Sequence, residues 1–217
     1  MILMSKVVVQ SIGVSLDGFA AGTDQSLDNP LGVRGSELMG WFFPTKTFIE
    51  GHGGEGGETA IDDGFAAESM SGNGAWILGR NMFGPVRGPW PDESWKGWWG
   101  DEPPYHVPAF VLTHFDRDPI EMAGGTTFHF ITDGIHSALE KAKAAAGDRN
   151  LPIGGGAATI RQFLDARLID ELHVVISPVL LGRGEFLFLG LDLAELGYNV
   201  DKWVPGERGV HMFISRS

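Results

Sequence analysis

The chain has 217 residues, no cysteine and a formal net charge of −12, from 16 Lys+Arg against 28 Asp+Glu. The missing thiol excludes disulfide frameworks, cysteine-ligated zinc and cysteine nucleophiles, and the acidic balance argues against nucleic acid, whose binding needs basic side chains to replace counterions. A hydrophobic content of 43% excludes global disorder, so the 32 glycines, about twice the usual share of roughly 7%, belong to turns and close backbone approaches.

Met1 to Met4 is apolar but runs into Ser5-Lys6. There is no basic n-region with an apolar stretch of roughly 7–15 residues, as a signal peptide would carry. No window reaches the ~18 uninterrupted apolar residues of a membrane-spanning helix. A soluble, cytoplasmic protein with no membrane contact is expected. The first strand falls at 6–14 (KVVVQSIGV), followed by Ser15-Leu16-Asp17-Gly18, which is turn chemistry or a substrate anchor. Residues 51–57 (GHGGEGG) hold five glycines in seven positions and predict a mobile loop. A helix opens at Thr59, where the spacing matches a capping box, and runs to about Met70. In it, Asp62 and Asp63 are either a capping pair or include one inward-facing acid.

The strand 75–79 (AWILG) leads into Gly79-Arg80-Asn81. An arginine leaving the carboxyl end of a parallel strand stands where open α/β sheets bind ligands, and its planar fork suits a phosphate monoester. Residues 85–108 then hold Trp90, Trp95, Trp98 and Trp99 among six prolines, a lid or a subunit contact. The strand 108–113 ends in Thr113-His114, and a further strand covers 127–132. The spacing of Ile135, Ala138, Leu139, Ala142 and Ala146 predicts a helix over 135–146, with Asp133 placed to cap it.

Residues 151–154 form a short strand, and Gly154-Gly155-Gly156-Ala157-Ala158-Thr159 joins it to a helix over 157–168. Three glycines remove every Cβ from the turn, and the helix start offers unpaired N–H groups and partial positive charge, which suits a pyrophosphate. The same glycines also suit a merely tight turn. The dinucleotide fingerprint is not met, because Thr159 holds its last glycine position. Strands at 172–176 and 210–215 complete the pattern. Strands alternating with helices imply an α/β domain with a mostly parallel central sheet and helices on both faces. No break in composition divides it, so residues 1–217 form a single domain. The seven histidines show no His-Glu-x-x-His and no pair three or four apart, so no metal site is expected.

In this order the motifs are recognisable. IGGGAATIRQFL and LGRNMF resemble the signature segments of the dihydrofolate reductase fold. VSLDG together with LIDELHVVISPVLLGRG looks like the RibD C-terminal domain family, the NADPH-dependent pyrimidine reductases of riboflavin synthesis and their standalone relatives. The resemblance runs from Lys6 to Ser215 and implies NADPH as cofactor. Gly154, Gly155, Gly156, Ala157 and Thr159 would hold the pyrophosphate, with a cis peptide at Gly154–Gly155. Gly79, Arg80, Asn81, Thr113 and His114 would hold the adenosine end and its 2′-phosphate. Ser15, Asp17 and Gly18 would lie beside the nicotinamide and substrate, with Asp17 fixing or protonating the substrate and Trp90 contributing from the tryptophan loop. A homodimer is implied. Asp63, sixteen residues before Gly79, stands at about the spacing of the pterin-binding acid of dihydrofolate reductases. The expected activity is therefore a reductase resembling 5-amino-6-(5-phosphoribosylamino)uracil reductase. The alternatives are a dihydrofolate reductase and an NADP-binding protein without catalysis.

Overall fold

The computed structural model describes residues 5–84 and 88–217, so the first three positions of the tryptophan loop lie outside the description. The elements are β1 (Val7–Ser15), β2 (Phe19–Ala21), α1 (Lys46–Gly51), α2 (Ile61–Met70), β3 (Trp76–Gly79) and α3 (Arg80–Phe83). They continue through β4 (Pro108–Leu112), β5 (Ile120–Glu121), β6 (Thr127–Ile131), α4 (Ile135–Ala146), β7 (Leu151–Pro152) and α5 (Ala157–Asp165). The last are β8 (Glu171–Ser177), β9 (Glu185–Phe186), β10 (Tyr198–Pro205) and β11 (Val210–Arg216).

Five strands pair in the order β10-β11-β8-β1-β7 and four in the order β3-β4-β6-β5, with β2 and β9 forming a separate antiparallel pair. The two larger sheets meet where β7 lies beside β3: Gly74 N donates to Asn150 O at 2.9 Å and Gly154 N to Ile77 O at 2.8 Å. Pairing is parallel through β8, β1 and β7 and again through β3, β4 and β6, while β10, β11 and β5 run antiparallel at the ends.

The apolar stripe that predicts α4 is its buried face: Ala138, Leu139, Ala142 and Ala146. α5 buries Ile160, Phe163 and Leu164 against the same side of the sheet. Over β3, β4 and β6 a second cluster packs Phe83, Tyr105 and Phe128 with Trp90, Trp95 and Trp99, so these three tryptophans serve chiefly as core. Two local expectations are corrected. α2 starts at Ile61 rather than Thr59, and α4 is capped at Gly134, because Asp133 instead accepts the Ser137 hydroxyl at 2.8 Å. The glycine loop 51–57 is tied at its base, where Lys46 N donates to Glu58 O and Glu58 N to Pro44 O, each at 2.9 Å. Among the described residues no helix is long and apolar enough to cross a membrane.

Ile160 is wholly buried between α5 and the sheet. Ile160→Ala removes three heavy atoms there and should cost about 2–5 kcal/mol in urea unfolding, with an unchanged slope against denaturant.

Candidate active site

Gly79 ends β3 one backbone hydrogen bond from the glycine turn, its N–H donating to Gly155 O at 2.5 Å. A Cβ on Gly79 would run into the Thr159 hydroxyl and stand 3.1 Å from Gly155 O and 3.2 Å from Gly156 N. Only glycine allows this approach. Gly154 still belongs to the sheet through its bond to Ile77, and the turn begins at Gly155, whose φ is 106°. The cis peptide is accordingly Gly155–Gly156, one residue later than the family resemblance implies. Gly156 caps α5, its carbonyl accepting the Thr159 and Ile160 amides at 3.0 and 3.1 Å, and among the described residues no side chain caps the Ala157 and Ala158 amides before them.

Around this junction lies a cleft of about 1360 Å³. All ten positions expected to hold a cofactor line it: Gly79, Arg80, Asn81, Thr113, His114, Gly154, Gly155, Gly156, Ala157 and Thr159. At one end Arg80 leaves the sheet and lies flat on the Trp90 ring, 3.1 Å from its centroid, with Arg117 4.9 Å from the same ring. Arg80 Nη1 reaches Gly84 O at 3.3 Å, whereas Arg80 Nε and Nη2 and Arg117 Nη1 are buried without a partner among the described residues. Burial, with the neighbouring Arg117 charge, pulls the Arg80 pKa down to about 10. Two guanidinium groups are thus brought together with idle donors, although Arg117 Nη2 donates to Glu93 O at 2.7 Å and the Asp92 and Glu93 carboxylates act on Arg117.

The remaining expected residues are not in the cleft. Asp17 Oδ1 accepts the Ser15 hydroxyl at 2.6 Å and the Leu181 amide at 3.1 Å, and its Oδ2 accepts the Gly182 amide at 2.6 Å. The Ser15 hydroxyl and these amides hold its carboxyl below the usual aspartate range, so Asp17 is a clamp between two loops and a poor proton donor. Ser15 Oγ also accepts the Phe19 amide at 2.9 Å, and at Gly18 a Cβ would stand 2.6 Å from the Phe186 ring. These residues shape the turn after β1. Trp90 donates from Nε1 to Phe115 O at 3.0 Å and supports the arginines from behind. Asp63 accepts the Thr47 amide at 2.8 Å and thereby fixes α1. The inward-facing acid is its neighbour Asp62, since the buried stripe of α2 runs through Asp62 and Ala66.

At the other end the cleft is walled by the middle of β1 and by Trp41. Gln10 Oε1 and Trp41 Nε1 are both buried there without a partner among the described residues, an acceptor and a donor free for a ligand. Neither was marked by a sequence motif, nor was Arg117. Gln10 interrupts an apolar strand, which is the one local signal available; Trp41 and Arg117 lie in irregular segments where only the folded chain brings them to the site.

The glycine turn at the strand ends and the mixed sheet define a protein of the dihydrofolate reductase-like fold. The chain belongs to the RibD C-terminal domain family, which matches residues 6–212. It is similar in fold to a Shewanella sp. PV-4 structure assigned to riboflavin biosynthesis, with a TM-score of 0.59, 23% identity and 99% of both chains covered. The riboflavin biosynthesis reductase Rib7 of Saccharomyces cerevisiae gives a TM-score of 0.52 at 12% identity, over 99% of this chain and 90% of that one. Dihydrofolate reductase from Enterococcus faecalis, solved with NADP(H), gives 0.50 at 13% identity over 100% and 98%. In sequence, the uncharacterized protein YyaP of Bacillus subtilis is 38% identical over 60 residues, which span 28% of this chain and 31% of that protein.

The Asp17 clamp has a pH signature. Its contribution is fully present above the ordinary aspartate value of 3.8 and is lost as pH falls through its lowered folded value. Asp17→Asn should be less stable than wild type at neutral pH, with the gap closing below about pH 4 in urea titrations; a gap constant with pH contradicts the clamp.

Proposed function

We propose that this chain is an NADPH-dependent reductase of a small planar heterocycle, acting on an imine-type C=N bond as in the reduction of 5-amino-6-(5-phosphoribosylamino)uracil. The carrying observation is the idle guanidinium nitrogens of Arg80 at one end of a cleft whose floor is a bare glycine turn, with Arg117 beside it over the Trp90 ring. The residues fit the cofactor. The paired arginines suit a phosphate monoester, the feature that separates NADPH from NADH. The free amides at the start of α5 suit a pyrophosphate, and the absence of side chains at 154–156 leaves room to lay it on the backbone. When bound, NADPH supplies the hydride; the protein's part is to align two planar groups and exclude water.

Gln10 and Trp41 would orient the substrate, since a ring bearing both an N–H and a C=O meets an idle acceptor and an idle donor. A pyrimidine meets that requirement. The folate reading loses its particular support, because Asp63 is spent on α1 rather than facing the cleft. The homodimer implied by family resemblance would find apolar surface on β10, where Trp203 is 58% exposed.

Arg80→Ala should weaken NADPH about 10–100-fold, the equivalent of one or two charge-assisted hydrogen bonds, and leave NADH nearly unchanged by calorimetry. Arg117→Ala should act in the same direction without unstacking Arg80 from Trp90. Equal losses for both cofactors would remove the 2′-phosphate assignment, and NADPH binding without oxidation by the ribosylamino-pyrimidine would favour a binding protein.

A further inference from the structure

A line of four hydrogen-bonded side chains leads from the substrate end of the cleft into the body of the protein. Ser11, which lines the cleft, places Oγ 3.1 Å from His173 Nδ1; His173 Nε2 lies 2.9 Å from His211 Nδ1; and His211 Nε2 lies 2.8 Å from Asp62 Oδ1. Asp62 Oδ2 accepts the Arg208 amide at 3.0 Å. His211 is 0% exposed, Asp62 3% and His173 9%.

The sheet builds this line through an irregularity. Val9 pairs with Leu172 and Ile12 with Val174, so Gln10 and Ser11 together face the single residue His173. This is a β-bulge, which re-aims side chains. Ser11 takes the left-handed φ of 54°, uncommon for any residue but glycine. On β11 Phe213 pairs with His173 and His211 with Val175, which makes the two histidines diagonal neighbours on one face. Aromatic rings keep water from them: Phe213 stacks on His173 at 4.2 Å, Phe65 lies 4.5 Å from His211, and Trp41 meets His211 edge-on at 5.5 Å.

A buried polar line of this length is expensive unless every member is satisfied. Satisfaction alone would not require it to end on a hydroxyl at the wall of the cleft. We propose that Ser11, His173, His211 and Asp62 form a proton store that gives the substrate nitrogen the proton accompanying hydride reduction, with Ser11 as the donor at the cleft. This rests on the reductase reading. In the charged store His211 carries protons on both nitrogens, held by the Asp62 carboxylate. His173 then donates from Nδ1 to Ser11, whose O–H points into the cleft. As hydride reaches the carbon of the C=N bond, the Ser11 proton passes to the nitrogen. Ser11 takes a proton from His173 Nδ1, and His173 Nε2 takes one from His211 Nδ1. One proton leaves, the Ser11–His173 and His173–His211 hydrogen bonds reverse, and His211 is left neutral, still donating from Nε2 to Asp62. After product departs, water in the open cleft recharges the line through Ser11 by the reverse steps.

The surroundings suit this division of roles. Burial, then the His211 and Lys202 charges, pull the His173 pKa down to about 3, so His173 stays neutral and conducts, while the geometry sets the Asp62 carboxylate against His211 Nε2. The other charged groups facing the line are Lys202, which lies over the far ring Phe213, Glu207, which accepts the Asp62 amide, and Arg208, which pairs with Glu58.

Two measurements test the store separately from the reductase reading. The first is nitrogen NMR of histidine-labelled full-length protein across pH, without substrate. The store requires the proton of His173 to move between Nδ1 and Nε2 in step with the protonation of His211, and His211→Gln to abolish that exchange. A single His173 tautomer at every pH overturns the proposal whether or not the protein is a reductase. The second is turnover of the ribosylamino-pyrimidine with NADPH. Ser11→Gly removes the hydroxyl at a backbone conformation that glycine tolerates. It should lower kcat about 100-fold or more, the usual scale for general acid catalysis, with the NADPH affinity unchanged. In wild type the rate should fall as pH rises and the store empties, and His211→Gln should lose that limb. Wild-type kcat and pH profile retained in Ser11→Gly overturn the proposal while leaving the reductase reading intact.

Discussion

The structure turns on the contact between the end of β3 and the glycine turn after β7. It is the seam between a five-stranded and a four-stranded sheet, closed by backbone hydrogen bonds from Gly154 to Ile77 and from Gly79 to Gly155. It is also where the cleft opens, because the strands that meet there send their continuations apart, β3 into α3 and β7 into α5. Open α/β sheets bind ligands outside the carboxyl ends of their strands for this reason. A side chain at Gly79 would push the two halves apart and fill the cleft at once, so one residue carries both constraints.

A net charge of −12 repels a polyanion in the global field, so the NADPH reading proposed above requires local recognition. Under that reading the local donors are the uncharged amides at the start of α5 and the Arg80 guanidinium, which with Arg117 is positioned by aromatic rings. Trp90 is central to that arrangement even though it touches no ligand site itself. Its ring carries Arg80, its indole N–H ties the loop at Phe115, and it meets Phe83 and Phe130 in T-shaped contacts.

Much of this was legible in the sequence, and the limits have identifiable causes. Buried strands and the α4 and α5 stripes are read correctly because one-sided burial leaves a periodic trace. β10 leaves none: its central residues are exposed, and Asp201 and Lys202 mask it. The glycine cradle is legible because it needs no side chains, so local composition carries the whole message. Asp17 and Asp63 mislead for the opposite reason. A carboxylate's role depends on which donors the fold brings to it, and here those are the Gly182, Leu181 and Thr47 amides. Asp62 and Asp63 differ by about 100° of helix rotation, and their order on the stripe is settled by packing against β11 rather than by propensity.

The histidines show the same limit more sharply. His173 and His211 each sit alone in an apolar strand, thirty-eight residues apart, and each alone reads as a satisfied core side chain. What joins them is register: β11 pairs antiparallel to β8, and the bulge in β1 turns Ser11 toward the same face. Without the bulge, strict alternation along β1 would separate Ser11 from His173 or withdraw Gln10 from the cleft. Two adjacent residues of one strand can serve the same site only where the pleat is broken. The irregularity in β1 is thus the device by which a strand buried on both sides brings polar chemistry to the cleft, just as the glycine turn is the device by which the other end presents backbone.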